Sequence, residues 1–331
     1  WFPRPGETKH AAVARECRAV REAVGMFDAS TLGKIEVVGP DALAFLNRMY
    51  ATDLSRLAVG RCRYALLLGE DGFVKDDGIV ARLAPDRCVV TTTTGGAASV
   101  LHMMEDYLQT EFTDLRAWLT SVTEQWATIA LQGPRSRALL AEVTDGIDLV
   151  SMPHMSVAPG TVAGVTARIF RVSFTGEAGF EICVPAGSAG HVWDALVAAG
   201  DPTLYGTETM HVLRAEKGYI IVGQETDGTV VPDDLGLGRM AGANKPDFVG
   251  KRSLARPALA AAGRKQLVGL LTADPKVVLE EGAQVAAVPE QPVPMKLIGH
   301  VTSSYHSAVL GRSIALGLVA DGRAKIGQTV Y

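Results

Sequence analysis

The chain has 331 residues, 47% of them hydrophobic, enough to bury a large core and to suggest two or three domains rather than disorder. Thirty-six acidic against 32 basic residues give a formal charge of -4 and no basic stripe to neutralise a phosphate backbone; small molecules or proteins are therefore expected as partners, and nucleic acid is not. No apolar run reaches the roughly 18 residues a membrane helix needs and no signal-peptide pattern is present, so the expectation is a soluble, cytoplasmic protein without membrane contact.

In chain order, residues 10–25 are alanine-rich with charges spaced for an amphipathic helix, and Gly25 stands where such a helix would stop. Ile35 to Val38 reads as a strand, Gly39-Pro40 as a turn with Pro at the first helical position, and Asp41 to Asn47 as a helix. Tyr64 to Leu68 and Gly78 to Leu83 read as a hairpin around Glu70-Asp71-Gly72, followed by a strand from Cys88 to Thr93 and a helix from Ala97 to Leu108. The strand, Gly-Pro turn and helix then return at Ala127–Gln132, Gly133-Pro134 and Arg135–Val143. That repetition favours a duplicated α+β unit over a doubly wound parallel sheet. Further strands are expected at Val165–Val172 and Phe180–Val184, and helices at Ala189–Ala199 and over residues 207–219. A Gly, Lys and Arg-rich linker around Lys245 to Arg252 precedes an alanine-rich helix. From about Lys265, short strands alternate with Gly and Pro turns in the manner of a small β-barrel. The expected domains are residues 1–255, in two lobes, and residues 256–331. The opening at Trp1 without Met and the stop at Tyr331 within a strand-like segment read as cut edges, with an incomplete barrel.

The four cysteines, Cys17, Cys62, Cys88 and Cys183, lie far apart without CxxC spacing, and read as reduced, buried small hydrophobes; no metal site is expected. Chemistry concentrates in three segments. Asp76 and Asp77 are adjacent at the edge of an apolar strand, where successive side chains face opposite ways, so one should point inward with its proton affinity tuned by burial. Glu181 enters a strand between Phe180 and Ile182, and a carboxylate there needs a partner: either a buried cation such as Arg214 or a ligand offering two parallel N–H donors. The segment from Leu213 to Tyr219 reads as a helix end entering a packed loop. Gly236-Leu237-Gly238 lacks dinucleotide-fingerprint spacing, Gly311-Arg312-Ser313 is no nucleophile elbow, and the seven histidines form no readable triad.

Met26-Phe27-Asp28-Ala29-Ser30 with Gly33-Lys34-Ile35, Gly72 to Val80 with its Asp-Asp, and Thr175-Gly176-Glu177 with Phe180-Glu181 together resemble the aminomethyltransferase family typified by the glycine cleavage T-protein. Within it, Arg61-Cys62-Arg63-Tyr64, Tyr205 to Gly218 and the opening Pro3-Arg4-Pro5-Gly6-Glu7 resemble the alpha subunits of heterotetrameric sarcosine oxidases. The resemblance implies a three-lobed, ring-like arrangement with tetrahydrofolate in a central channel. It implies Asp77 as the acid/base residue near the folate nitrogens and Glu181 as the carboxylate holding the pterin. Tyr64 and Thr93 fall at folate-contact positions, Ile79 lines the same site, and Phe174 stands where the T-protein type has Tyr. Met210 replaces a folate-contacting Arg, and Tyr219 replaces the Cys of a tRNA-modifying paralogue. FAD, FMN and NAD are expected only on a preceding region or on other subunits, which would be the protein partners. The implied function is capture of the one-carbon unit of oxidised sarcosine to give 5,10-methylenetetrahydrofolate. A free-standing aminomethyltransferase and a non-catalytic subunit-docking scaffold are the alternatives.

Overall fold

A computed structural model describes residues 1–242 and 244–331. Two of its three sheets repeat one plan. The first-lobe sheet runs Cys62–Leu68, Val74–Ala84, Arg87–Thr92, Gly33–Val38, Trp118–Ser121. In the second lobe the order is Val157–Val162, Val165–Phe170, Gly179–Pro185, Trp126–Gln132, Gly25–Asp28, with the short strands Thr144–Asp145 and Thr203–Leu204 at its edges. In each lobe a strand leads through a Gly-Pro turn into a helix, Ala42–Met49 or Ser136–Ala141, then through a three-stranded meander into a second helix, Ala97–Thr110 or Ala189–Gly200. The duplicated α+β unit is therefore present.

The two Gly-Pro turns match in detail. Gly39 and Gly133 have φ of 125° and 124°, a region that side chains resist. A Cβ would lie 2.3 Å from the Arg116 carbonyl oxygen in one and 2.5 Å from that of Ala23 in the other. Both prolines sit in the turn rather than at the first helical position, since the helices begin two residues later, at Ala42 and Ser136. In the helix Ala42–Met49, the residues Ala42, Phe45, Leu46 and Met49 are buried, the spacing of a single helical face.

Other expectations change too. The first helix is Lys9–Glu22, capped by the Thr8 hydroxyl, and Gly25 begins a strand instead of ending the helix. Glycine is needed there for packing: a Cβ would stand 2.5 Å from Val20 and 2.8 Å from the Tyr205 ring. That strand belongs to the second sheet, beside Trp126–Gln132, so the lobes are not consecutive in the chain. The alanine-rich helix after the linker is only two four-residue turns, Lys251–Leu254 and Pro257–Ala260, the latter with no buried residue. A segment without an apolar face gains no helical stability from packing.

The C-terminal unit is a four-stranded antiparallel sheet ordered Lys265–Leu270, Arg312–Ala320, Leu297–Ser307, Gln284–Ala286, and Tyr331 exchanges two backbone hydrogen bonds with Ala286 beside it. The first sheet packs on each of the other two, and a helix closes on the third. Cys62 and Ala81 pack on Phe170, Val172 and Cys183 between the first and second. Leu66 and Leu68 pack on Ile220, Phe248 and Leu318 toward the third. Ala215, at the end of the helix Thr207–Glu216, closes on Ile314 and Leu316. All four cysteines are free and buried. Among the described residues, no helix is long and apolar enough to cross a membrane, and no group of three His, Cys, Asp or Glu could hold a metal ion.

Candidate functional site

The strand Val74–Ala84 carries both aspartates, and its register decides what each one meets. Asp76 is opposite Leu67, which in turn bridges to Tyr50, whereas Asp77 is opposite Leu66 and Ile79 is opposite Tyr64. Cross-strand partners share a face, so Asp76 points with Tyr50 and Leu67 into the first-lobe core, and Asp77 points with Tyr64, Leu66 and Ile79 toward the junction with the other sheets. The expectation of one inward aspartate is met by Asp76.

Asp76 is 2% exposed. Its Oδ1 accepts from the backbone N–H groups of Asp77 (2.9 Å) and Thr93 (3.3 Å), while its Oδ2 is buried with no hydrogen-bond partner among the described residues. Burial raises its proton affinity. Asp77 is half-buried, and its Oδ2 accepts from the Tyr64 hydroxyl at 2.5 Å. Burial pushes the Asp77 carboxyl up to about 6; the Tyr64 hydrogen bond opposes this and the charge of Asp76 adds to it. Two oppositely placed carboxyls on consecutive residues are thus held where at least one exchanges protons near neutrality.

Glu181 lies in the strand Gly179–Pro185, opposite Ala130 on one side and Phe170 on the other. The cation suggested as its partner is committed elsewhere. Arg214 is fully buried and donates to Glu225 (2.7 Å), the Tyr219 carbonyl (3.0 Å), Ser303 (2.6 Å), Gln224 (3.2 Å) and Tyr305 (3.3 Å). Among the described residues no hydrogen bond reaches the Glu181 carboxylate; burial pushes it up to about 7, and the Lys34 ammonium works in the opposite direction. A half-buried carboxylate without a donor among the described residues can accept two hydrogen bonds from a ligand.

The remaining expected residues divide. Tyr64 and Ile79 stand with Asp77, and Ile79 packs in the same seam as Phe170 and Cys183, neighbours of Glu181. Thr93 stands on the Asp76 side, its hydroxyl accepting from Gly96 N–H (3.0 Å) at the start of the helix Ala97–Thr110. Phe174 is half-buried and stacks on Tyr219, with centroids 6.2 Å apart. Met210 packs in an apolar cluster with Cys17, Tyr205 and Leu213.

Tyr50, ending an apolar helix, reads as core and is core, behind Asp76. One residue was not visible as a support of the site in the sequence. Arg21 reads as one charge on an amphipathic helix, yet it clamps the loop before Glu181 by donating to the Thr175 carbonyl (2.6 Å), Glu177 (2.9 Å) and Glu216 (2.7 Å). Only the fold brings these partners, more than 150 positions away, within reach.

A duplicated α+β unit joined to a C-terminal sheet is the aminomethyltransferase architecture: the glycine cleavage system aminomethyltransferase T from Bartonella henselae superposes with a TM-score of 0.83 at 26% identity, over 94% of this chain and 82% of that one. Residues 1–245 match the GCVT N-terminal domain and residues 265–331 the glycine cleavage T-protein C-terminal barrel domain, so the chain belongs to the glycine cleavage T-protein family. The sarcosine oxidase subunit alpha of Corynebacterium sp. (strain P-1) is 49% identical over 340 residues, covering 100% of this chain and 35% of that protein. The aminomethyltransferase of Streptomyces coelicolor is 36% identical over 325 residues, covering 96% of this chain and 84% of that protein. The chain thus spans about a third of the length of the sarcosine oxidase alpha subunits it matches.

Proposed function

We propose that this domain binds tetrahydrofolate between its lobes and, as part of a sarcosine oxidase alpha subunit, captures the one-carbon unit of oxidised sarcosine as 5,10-methylenetetrahydrofolate. The observation that carries this reading is Glu181, a carboxylate in an apolar seam without a hydrogen-bond donor among the described residues, while Arg214 is paired with Glu225. Its two oxygens suit the paired N–H edge of a pterin. Tetrahydrofolate, when bound, supplies the nucleophilic nitrogens.

The chain's own residues supply binding and proton handling. Glu181 holds the ring edge, Ile79 and Phe174 provide apolar walls, and Asp77 takes up a proton on the carboxyl that Tyr64 orients through Oδ2. A carboxyl near 6 is divided between its two forms close to neutrality, which general acid–base work requires. Holding both reactants in one recess supplies the rest of the advantage by proximity. FAD, FMN and NAD chemistry belongs in this reading to a preceding region or to other subunits, which are the proposed protein partners.

Titration calorimetry of the chain with tetrahydrofolate tests the reading: binding is expected in the wild type and strongly weakened binding in Glu181→Ala, and equal affinity in the two would overturn it. The 84% coverage of the Streptomyces coelicolor protein favours a second reading, a free-standing aminomethyltransferase, which predicts activity with an aminomethyl-loaded lipoyl carrier.

A further inference from the structure

Lys34 is a first-lobe lysine without an ion pair among the described residues, 3% exposed in the strand Gly33–Val38. Its Nζ donates to the carbonyls of Ser30 (2.9 Å) and Leu32 (2.8 Å), leaving one of three N–H donors uncommitted. The segment that receives it is pinned to the second lobe: the Ser30 hydroxyl accepts from Thr128 N–H (3.1 Å), and Ala29 N–H donates to the Thr128 carbonyl (2.9 Å). Thr128 is the register partner of Cys183, and Lys34 and Cys183 line one narrow crevice at the seam with Trp126, Arg168 and Phe170. Cys183 and Glu181, two apart on one strand, share a face. The other cation of that crevice, Arg168, is held by Glu36 at 2.9 Å and lies over the Trp126 ring at 4.0 Å.

We propose that Lys34 is a positioning residue for pterin recognition: the first lobe lends its ammonium to Glu181 of the second and favours the charged form of that carboxylate, so ligand affinity depends on the closed lobe seam. This rests on Glu181 as the pterin acceptor. The titratable groups around Glu181 are Lys34, Cys62, Cys183 and Tyr205, and those around Lys34 also include Asp28 and Glu124. Only Lys34 among them is a cation, and it alone pulls Glu181 down toward the ordinary carboxylate range. Lys34 itself is lowered by burial, partly offset by Cys183 and Glu181.

The test uses the full chain as wild type, Lys34→Met and Lys34→Arg. Calorimetry with tetrahydrofolate is run from pH 6 to 9, and the Glu181 carboxyl is titrated by NMR of glutamate labelled with carbon-13, without ligand. In Lys34→Met the Glu181 midpoint is expected to rise from about 7 by about one unit, which lowers affinity about fivefold at pH 7 and restores it near pH 9, while Lys34→Arg stays near wild type. A loss of affinity that persists at pH 9 would mean that Lys34 only packs the seam, and an unmoved Glu181 midpoint would equally overturn the proposal. A wild-type chain that does not bind tetrahydrofolate removes the folate assignment instead; the NMR midpoint then decides the Lys34–Glu181 pairing by itself.

Discussion

The two lobes share a strand order, a Gly-Pro turn and a meander, and each places one carboxylate at their common seam, but the surroundings of the two acids differ in kind. Asp77 comes with its own hydrogen-bond donor, Tyr64, and a second carboxyl one residue away. Glu181 has no hydrogen-bond donor among the described residues, and Lys34 is the one counter-charge that acts on it. An acid whose proton is managed inside the protein suits proton transfer, and an acceptor left without a partner suits recognition of a donor that arrives with the ligand. A third acid, Glu225, marks the structural extreme: it is fully buried and satisfied by Arg214, Ser303 and Thr302, and so has no capacity left for a ligand.

Breaking this contrast has graded consequences. The largest is expected for Asp77→Asn, which keeps shape and removes the proton acceptor: methylenetetrahydrofolate formation in the assembled enzyme should fall by about 10²–10⁴-fold with tetrahydrofolate affinity nearly unchanged. Equal loss of binding and yield would place Asp77 in recognition rather than proton transfer. Arg214→Met leaves Glu225 buried without a counter-charge, and urea unfolding should show a loss of about 3–5 kcal/mol. A loss below 1 kcal/mol would mean that the donors Ile221, Thr302 and Ser303 hold Glu225 without the cation. Glu181→Ala removes a charged double hydrogen bond; at about 1.5–3 kcal/mol, tetrahydrofolate affinity should drop about 10- to 100-fold with little change in stability at pH 8.

The smaller effects concern pH. Tyr64→Phe removes the hydrogen bond that holds Asp77 down, so the acid limb of the activity profile should move above about 6; a shift downward would contradict the assigned donor. For Glu181 the folded-state value, about 7, is above the ordinary 4.5, so the folded domain binds more protons than the unfolded chain between these values. The contribution of this group to stability is complete below about 4.5 and is lost as pH rises through about 7. Without ligand, the wild-type melting temperature should carry a component that declines over that range, and Glu181→Gln should lack it. Coincident pH curves for the two proteins would show that Glu181 is not held in an apolar setting.

Much of the fold was legible because it rests on local rules. The repeated Gly-Pro turn, the hairpin at Glu70-Asp71-Gly72 and the buried cysteines follow from side-chain periodicity and backbone preference, and each has its structural counterpart. Gly25 and the alanine-rich segment near Pro257 were misread for the same reason: local composition there suits a helix end or a helix, while the packing of Val20 and Tyr205 against Gly25, and the lack of any face to bury near Pro257, decide otherwise.

For the site, the sequence by itself determined which acids stand at strand positions where a charge is costly, namely Asp76, Asp77 and Glu181. It could not assign their partners, because a partner is set by register and by lobe packing. Tertiary structure alone turned Asp76 into the core and Asp77 to the seam, gave Arg214 to Glu225 across the loop that follows its helix, and brought Lys34 of one sheet to the edge of the other. Periodicity along a chain records which face a residue occupies, whereas the electrostatics of a buried carboxylate depend on atoms that arrive from distant segments.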